Sequence, residues 1–297
     1  MPSTMDHRLG HGVVPFARQT ASTHAKSFTL AAMSLGFCVV QFDVTVVNTA
    51  LSSIGQSLQG GVSELQWVVS SYTATFAAFI LTAGALGDRL GAKRVFMTGF
   101  AIFTAASVAC ALAPTIVLLI AARAVQGIGA AILVPNSLAL LNHAYPGQKD
   151  RGRAVGIWAG GASVALTAGP VAGGGLVALV GWPGIFLVNV PIGLLGLWLT
   201  WRHAGETARA PTRELDLPGQ AAAICALGCL AGAIIEGGAF GWNNLLVIAG
   251  CMAFATLAVL FVVRERRARQ PMLPLALFKN RLFSITSAIG LLVNVAF

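Results

Sequence analysis

Two residues in this chain carry charges that their surroundings do not explain. Arg123 opens the segment RAVQGIGAAILVPN, which ends at Asn136, and Asp43 lies in the run from Phe28 to Leu51; both segments are otherwise apolar and long enough to cross a bilayer. An ionised group inside hydrocarbon needs a partner, a wet cavity or both. At 1.5 Å per residue, Asp43 lies about 10 Å from Ala50 at the outer end of its helix and Arg123 about 12 Å from Thr115 at the outer end of its own. They are the only formal charges well inside the first six apolar runs, so the two are expected to share one polar site, directly or through water. A carboxyl group that gains or loses an arginine partner as a protein changes shape can carry a proton. A permanent structural pair would use the same two residues, and an arginine can also snorkel to the outer interface.

Helical spacing places further groups around this pair. Arg123, Gln126, Gly127 and Ala130 recur at three- and four-residue intervals, a polar, small-residue face turned toward the bundle interior. Pro135 and Asn136 could bend or locally open the same helix and so help line a cavity. On the first helix Gln41, Thr45 and Asn48 cluster opposite the face that Asp43 shares with Val39, Val40, Val47 and Ala50. With Gln126 and Asn136 they are the candidate cavity or substrate-binding residues. Gly161, Ala165, Gly169 and Gly173 are each four apart, a ridge that permits close helix contact. Pro170 and Gly174 add a kink or hinge; plain packing and a functional hinge fit this spacing equally. The stretch GALGDRLGAKR, Gly84 to Arg94, reads as a tight cytoplasmic turn. Its glycines free the backbone, and Asp88 can bond helix N-terminal amides or arginine. A plain charged turn would set topology as well.

The elements that must position these groups follow from composition. Of 297 residues, 56% are hydrophobic and 10% charged, against about 25% charged in soluble domains. The chain is therefore expected to be an integral membrane protein in the lipid bilayer. Eight apolar runs are long enough to span: Phe28 to Leu51, Leu65 to Leu86, Val95 to Ala113, Thr115 to Leu141, Ala154 to Val180, Ile185 to Trp201, Gln220 to Glu236 and Leu245 to Val263. A ninth starts at Phe283 and stops at Phe297, about 22 Å of helix against a hydrocarbon core of about 30 Å, so the chain is expected to end inside a span. With the amino-terminal tail placed in the cytoplasm, 18 of the 19 Lys and Arg fall on the inner side, Arg123 being the exception. That bias sets the orientation.

The net charge of +9 comes from basic residues in short loops between apolar runs, without the stacking aromatics of a nucleic-acid surface. No nucleic-acid partner is expected. The five cysteines all fall in apolar runs with no CxxC pair and read as small packing residues. His7 and His11 in the tail make a weak case for metal, and nothing calls for a metal or cofactor. HExxH, GxSxG and Walker patterns are absent, so an enzyme is the least expected class. The domain layout expected is a cytoplasmic tail (1–26), a six-helix unit (27–201), a linker with Pro211 and Pro218 (202–219), two further helices (220–263), and a cytoplasmic loop with an incomplete ninth helix (264–297).

Taken together, these residues resemble the major facilitator superfamily, specifically its fourteen-helix drug:proton antiporter branch. Gly84, Leu86, Asp88, Arg89, Gly91, Lys93 and Arg94 are similar to the family's motif between helices 2 and 3, with Ala92 where a basic residue is usual. Arg123, Gln126 and Gly127 resemble the helix 4 motif; Gly161, Gly169, Pro170, Gly173 and Gly174 resemble the helix 5 antiporter motif, with Ala165 in place of a glycine. Asp43, Thr45, Val47 and Asn48 look like the branch's helix 1 signature. The likeness continues through QWVVSSY (Gln66 to Tyr72), IFLVNVPIG (Ile185 to Gly193), the Leu215 to Gly241 region and LFKNRLF (Leu277 to Phe283), while Pro183 and Gly184 depart from the usual Arg and Trp.

The resemblance implies an all-α integral membrane fold: a six-helix amino-terminal transporter domain, two linker helices and part of a ninth helix, with a carboxy-terminal half missing. It implies proton-coupled efflux of hydrophobic or cationic small molecules across the cytoplasmic membrane, with protons and a small-molecule substrate as partners. Asp43 and Arg123 would serve proton coupling, helix 5 the antiport hinge, and Gly84, Asp88, Arg89, Gly91, Lys93 and Arg94 the cytoplasmic gate. Export of one metabolite or antibiotic, and a non-transporting membrane fragment or scaffold, are the alternatives.

Overall fold

The computed structural model describes residues 23–210, 217–267 and 280–296. The helices are α1 (Thr23–Leu58), α2 (Val62–Leu90), α3 (Ala92–Ala111), α4 (Ile116–Ala144), α5 (Gln148–Val180), α6 (Gly184–Leu187), α7 (Asn189–His203), α8 (Leu217–Phe240), α9 (Leu245–Arg267) and α10 (Arg281–Ala296). Among the described residues, eight spans are long and apolar enough to cross a membrane, with α6 and α7 together forming one of them. The chain is thus a multi-pass, all-helical membrane protein. Most of the tail, with His7 and His11, lies outside the described residues, as do 211–216 and 268–279; the linker's Pro211 and Arg213 and the loop's Arg269 and Lys279 fall there.

The helix ends have local causes. Between α2 and α3 stands a single residue, Gly91, at φ 100° and ψ 127°, a conformation that a Cβ would strain. The expected turn from Gly84 to Arg94 therefore contracts to Gly91, because the α2 ladder stays intact until Gly91 N donates to Gly87 O at 2.9 Å. Thr115 caps α4, its hydroxyl accepting from Leu118 N, and the Glu64 carboxylate accepts from Gly61 N at 2.7 Å ahead of α2, each satisfying an amide that the helix leaves open. The sixth span breaks at Val188 between α6 and α7. Pro191 explains this, since it lacks an N–H and its ring crowds the carbonyl of Leu187 four residues earlier.

Two large apolar clusters form most of the core. One gathers Met33, Val39, Val40, Phe96, Phe100, Phe103, Leu133 and Leu140; the other gathers Val46, Val47, Ile54, Val68, Ile116, Leu119, Ile185 and Phe186. Along each helix the switch between them falls at a polar residue: Asp43 between Val40 and Val46, Ser107 between Phe103 and Cys110, Arg123 between Leu119 and Ala130. The polar groups form a layer that divides the core. Pairing of α1 with α5, and of both α2 and α3 with α4, makes the frame, while α7 lies against α1 and α3.

The segment after α7 is docked on α3. Glu206 Oε1 accepts from Lys93 N at 2.9 Å, Thr207 Oγ1 accepts from Ala92 N at 2.9 Å, and Lys93 Nζ donates to Trp201 O at 3.0 Å. Ala210 N closes the contact by donating to Asp88 O at 2.7 Å. A carboxylate at the positive end of a helix is favourable, so residues expected as a plain linker cap a membrane helix. Glu206→Ala is expected to cost about 1 kcal/mol, as loss of an N-cap does, and to speed amide exchange at Ala92 and Lys93; unchanged exchange there would show that the contact does not persist. The α8–α9 hairpin is tied down as well: Gln220 reaches Thr82 Oγ1 and donates to Ala78 O at 2.6 Å, and Ser63 Oγ donates to Glu236 Oε1 at 3.3 Å.

Candidate functional site

The polar layer joins five spans through direct contacts. Arg123 Nη1 donates to Asp43 Oδ2, and also to Gln126 Oε1 at 2.8 Å. The other carboxylate oxygen, Oδ1, accepts from Gln126 Nε2 at 2.9 Å and from Asn189 Nδ2 at 3.0 Å. Gln126 Nε2 also donates to Ser107 Oγ at 2.9 Å, whose own proton goes to Phe103 O at 2.8 Å. Arg123 Nε donates to the Val68 carbonyl at 3.2 Å, and its guanidinium lies 4.2 Å from the centre of the Tyr72 ring, a cation–π contact. Asp43, Arg123, Gln126, Ser107 and Asn189 are all at most 1% exposed.

The local sequence explains why these groups meet. Gly127, next to Gln126, lets α4 approach α2 so closely that a Cβ there would overlap the Tyr72 carbonyl and Thr75 hydroxyl. Gly129 does the same toward α3, where a Cβ would stand 2.7 Å from Phe103 N. With both neighbours drawn in, Arg123 and Gln126 reach α1, α2 and α3 from one helix. The α6–α7 break then puts Asn189 at the first position of α7, aimed at Asp43.

The other expected site residues lie elsewhere. Thr45 belongs to the α1–α5 seam, since a Cβ at Gly169 would overlap its hydroxyl, one at Gly173 would overlap that of Thr49, and one at Gly161 would stand 3.2 Å from Cys38 Sγ. Gly174 faces open space and Pro170 is exposed. Gln41 is half-buried and Asn48 exposed. Asn136 ties α4 to α2, its Nδ2 donating to Ala83 O at 3.1 Å and Ile132 O at 2.8 Å, beside Gly87. A Cβ at Gly84 would stand 3.7 Å from Pro135 Cβ. Asp88, Arg89, Gly91, Lys93 and Arg94 gather where α2 meets α3 and the docked segment, and Arg94 pairs with Glu206 at 3.8 Å. Asn189, Ser107 and Tyr72 were not expected in the site. Asn189 had a signal: it is the one amide in the apolar stretch IFLVNVPIG.

Both oxygens of the Asp43 carboxylate thus accept from donors on other helices, a guanidinium and two amides. No group of three or more His, Cys, Asp and Glu able to hold a metal occurs among the described residues.

A bundle of membrane-crossing helices around a buried, multiply held ion pair defines a polytopic membrane protein. Residues 33–296 match the family described as the Major Facilitator Superfamily, and the chain belongs to that family. It is 40% identical over 267 residues to the methylenomycin A resistance protein of Streptomyces coelicolor, covering 90% of this chain and 56% of that protein. Identity is 42% to the multidrug resistance protein Stp of Mycobacterium tuberculosis, over 88% of this chain and 48% of that one. It is 35% to the tetracenomycin C resistance and export protein of Streptomyces glaucescens, over 91% and 50%. The chain spans about half the length of the curated relatives it matches. Among solved structures, the peptide transporter POT in complex with sulfate superposes with a TM-score of 0.60 at 18% identity, over 81% of this chain and 53% of that one; that likeness speaks for the fold.

Proposed function

We propose that this chain is the amino-terminal part of a proton-coupled efflux antiporter that exports hydrophobic or cationic small molecules across the cytoplasmic membrane, with its amino terminus in the cytoplasm. The observation that carries the reading is Asp43, a carboxylate with 0% exposure whose partners sit on other spans. Rocking of a domain that shifts α1 against α4 or α7 changes how many of those partners it keeps, which gives the conformational cycle a grip on a proton. The seam of Gly161, Gly169 and Gly173 on α1 is the hinge for that shift, and the Gly84 to Arg94 cluster is the cytoplasmic gate. The orientation is supported by the 18 of 19 basic residues assigned to one side, and the export role by relatives named for drug resistance.

A second reading, export of one antibiotic or metabolite, is favoured by relatives named for methylenomycin A and tetracenomycin C. Proteoliposomes carrying the chain, or the chain extended by the carboxy-terminal helices of a 40% identical relative, test both readings with a panel of lipophilic cations and single antibiotics under an imposed pH gradient. Asp43→Asn is expected to abolish gradient-driven export while leaving counterflow exchange of substrate. Unchanged gradient-driven export by Asp43→Asn would remove the coupling role, and no flux from the extended chain would favour a scaffold.

A further inference from the structure

α2 and α3 both lie along α4 but touch each other only briefly, which leaves a groove between them with α4 as its floor. At the end that the charge bias places in the cytoplasm, this groove opens into a cleft of about 290 Å³ lined by Leu86, Val95 and Ile132 below and by Arg89, Arg94 and Arg209 at its mouth. The apolar floor continues toward mid-membrane through Ile128 and Ile102, half-buried beside Ile132 and Val95. Val95 to Ile102 alone spans about 10 Å of helix.

We propose that this cleft seats one anionic phospholipid, its phosphate held by Arg89, Arg94 and Arg209 and one acyl chain lying along Leu86, Val95 and Ile132. Topology alone explains basic residues at this end of the bundle, but it does not explain their convergence on an apolar groove from three separate segments: the last turn of α2, the first turn of α3 and the docked segment after α7. The local charge favours an anion, since Lys93 adds a fourth cation and the facing carboxylates are Asp88 and Glu206. Glu206 does not close the mouth, because its pair with Arg94 is long, 3.8 Å, and the Arg94 side chain is 70% exposed. A planar guanidinium suits phosphate oxygens, and a chain-length apolar floor suits a lipid rather than a soluble phosphate. A second cleft is different: Asp150 lines it together with Lys26 and Arg153, so its charge is mixed. The inference is independent of whether the chain couples transport to protons.

The test uses the full chain purified in detergent, mixed with equal amounts of phosphatidylglycerol and phosphatidylcholine, and native mass spectrometry to read retained lipid. The wild type is expected to keep one phosphatidylglycerol in preference to phosphatidylcholine. The variant Arg89→Gln/Arg94→Gln/Arg209→Gln is expected to lose at least about tenfold in phosphatidylglycerol retention, whereas Lys149→Gln/Arg151→Gln/Arg153→Gln, which removes the same charge elsewhere at this end, should stay within about twofold. Thr98 also lines the cleft, so Thr98→Trp fills it with every arginine in place and is expected to lower retention severalfold; Arg89→Gln alone gives a partial loss if the triple variant does not fold. Equal losses in both triple variants, full retention by Thr98→Trp, or displacement of the lipid by glycerol phosphate at the concentration at which phosphatidylglycerol binds would each overturn the proposal.

Discussion

Arg123→Met is expected to destabilise the folded chain by about 3–5 kcal/mol, the usual result of leaving a buried charge without its partner. Methionine matches the arginine stem in length and fits an apolar span, so little packing is lost. What disappears is the counterion to Asp43, the donor to the Val68 carbonyl and the donor to Gln126 Oε1. Gln126 and Asn189 still reach Oδ1, but two neutral amides do not offset a full charge in a site with no exposure. The second arm is Asp43→Asn in the same background, which removes the orphaned charge and is expected to recover more than half of the loss. Unfolding in detergent, followed by tryptophan fluorescence for both single variants and the double variant, closes the cycle; a coupling of about 2 kcal/mol is expected for groups in direct contact. Strictly additive losses would mean that the carboxylate does not depend on Arg123. Arg123→Lys is not a conservative control, because an ammonium cannot make the forked contacts to Asp43, Gln126 and Val68 from one position.

The pairing of Asp43 with Arg123 was legible because charges in apolar runs are scarce. The depth comparison behind it was loose, however: it took Ala50 as the outer end of the first helix, and α1 continues to Leu58, about 12 Å further. Scarcity carried the inference more than geometry did. Ser107 and Asn189 were not legible as members of the site, since serine and asparagine in a membrane helix are common and their importance depends on helix rotation. The spacing of Gly161, Gly169 and Gly173 marks a ridge, but only the folded chain shows that it packs against Cys38, Thr45 and Thr49 of α1. In Gly84 to Arg94 the glycines suggested a turn; two of them, Gly84 and Gly87, instead give α2 room beside Pro135 and Asn136 of α4, and Gly91 alone makes the turn. The capping of Lys93 by Glu206 joins residues 113 apart, a contact no local pattern can announce.

Gly129→Val should show how far this site depends on helix spacing. A Cβ at Gly129 would stand 2.7 Å from Phe103 N and 2.9 Å from Phe103 Cα. Those are backbone atoms inside a helix, so they cannot turn aside as a side chain would, and α3 and α4 must separate. Overpacking of this kind costs about 1–3 kcal/mol or more. The separation falls within one turn of Gln126 on α4 and Ser107 on α3, whose 2.9 Å bond supports one edge of the polar layer. The variant is therefore expected to lower stability and, in the extended chain, to weaken proton-coupled flux without touching Asp43 or Arg123. Gly156→Ala on α5, where a Cβ meets nothing within 4 Å, is the matched control and should gain about 0.5–1 kcal/mol from the reduced freedom of the unfolded chain. Equal unfolding midpoints for the two variants would show that α3 and α4 do not need the glycine contact. A stability loss with unaltered flux would show that the Gln126–Ser107 bond is structural support and that coupling rests on Asp43, Arg123 and Asn189 alone.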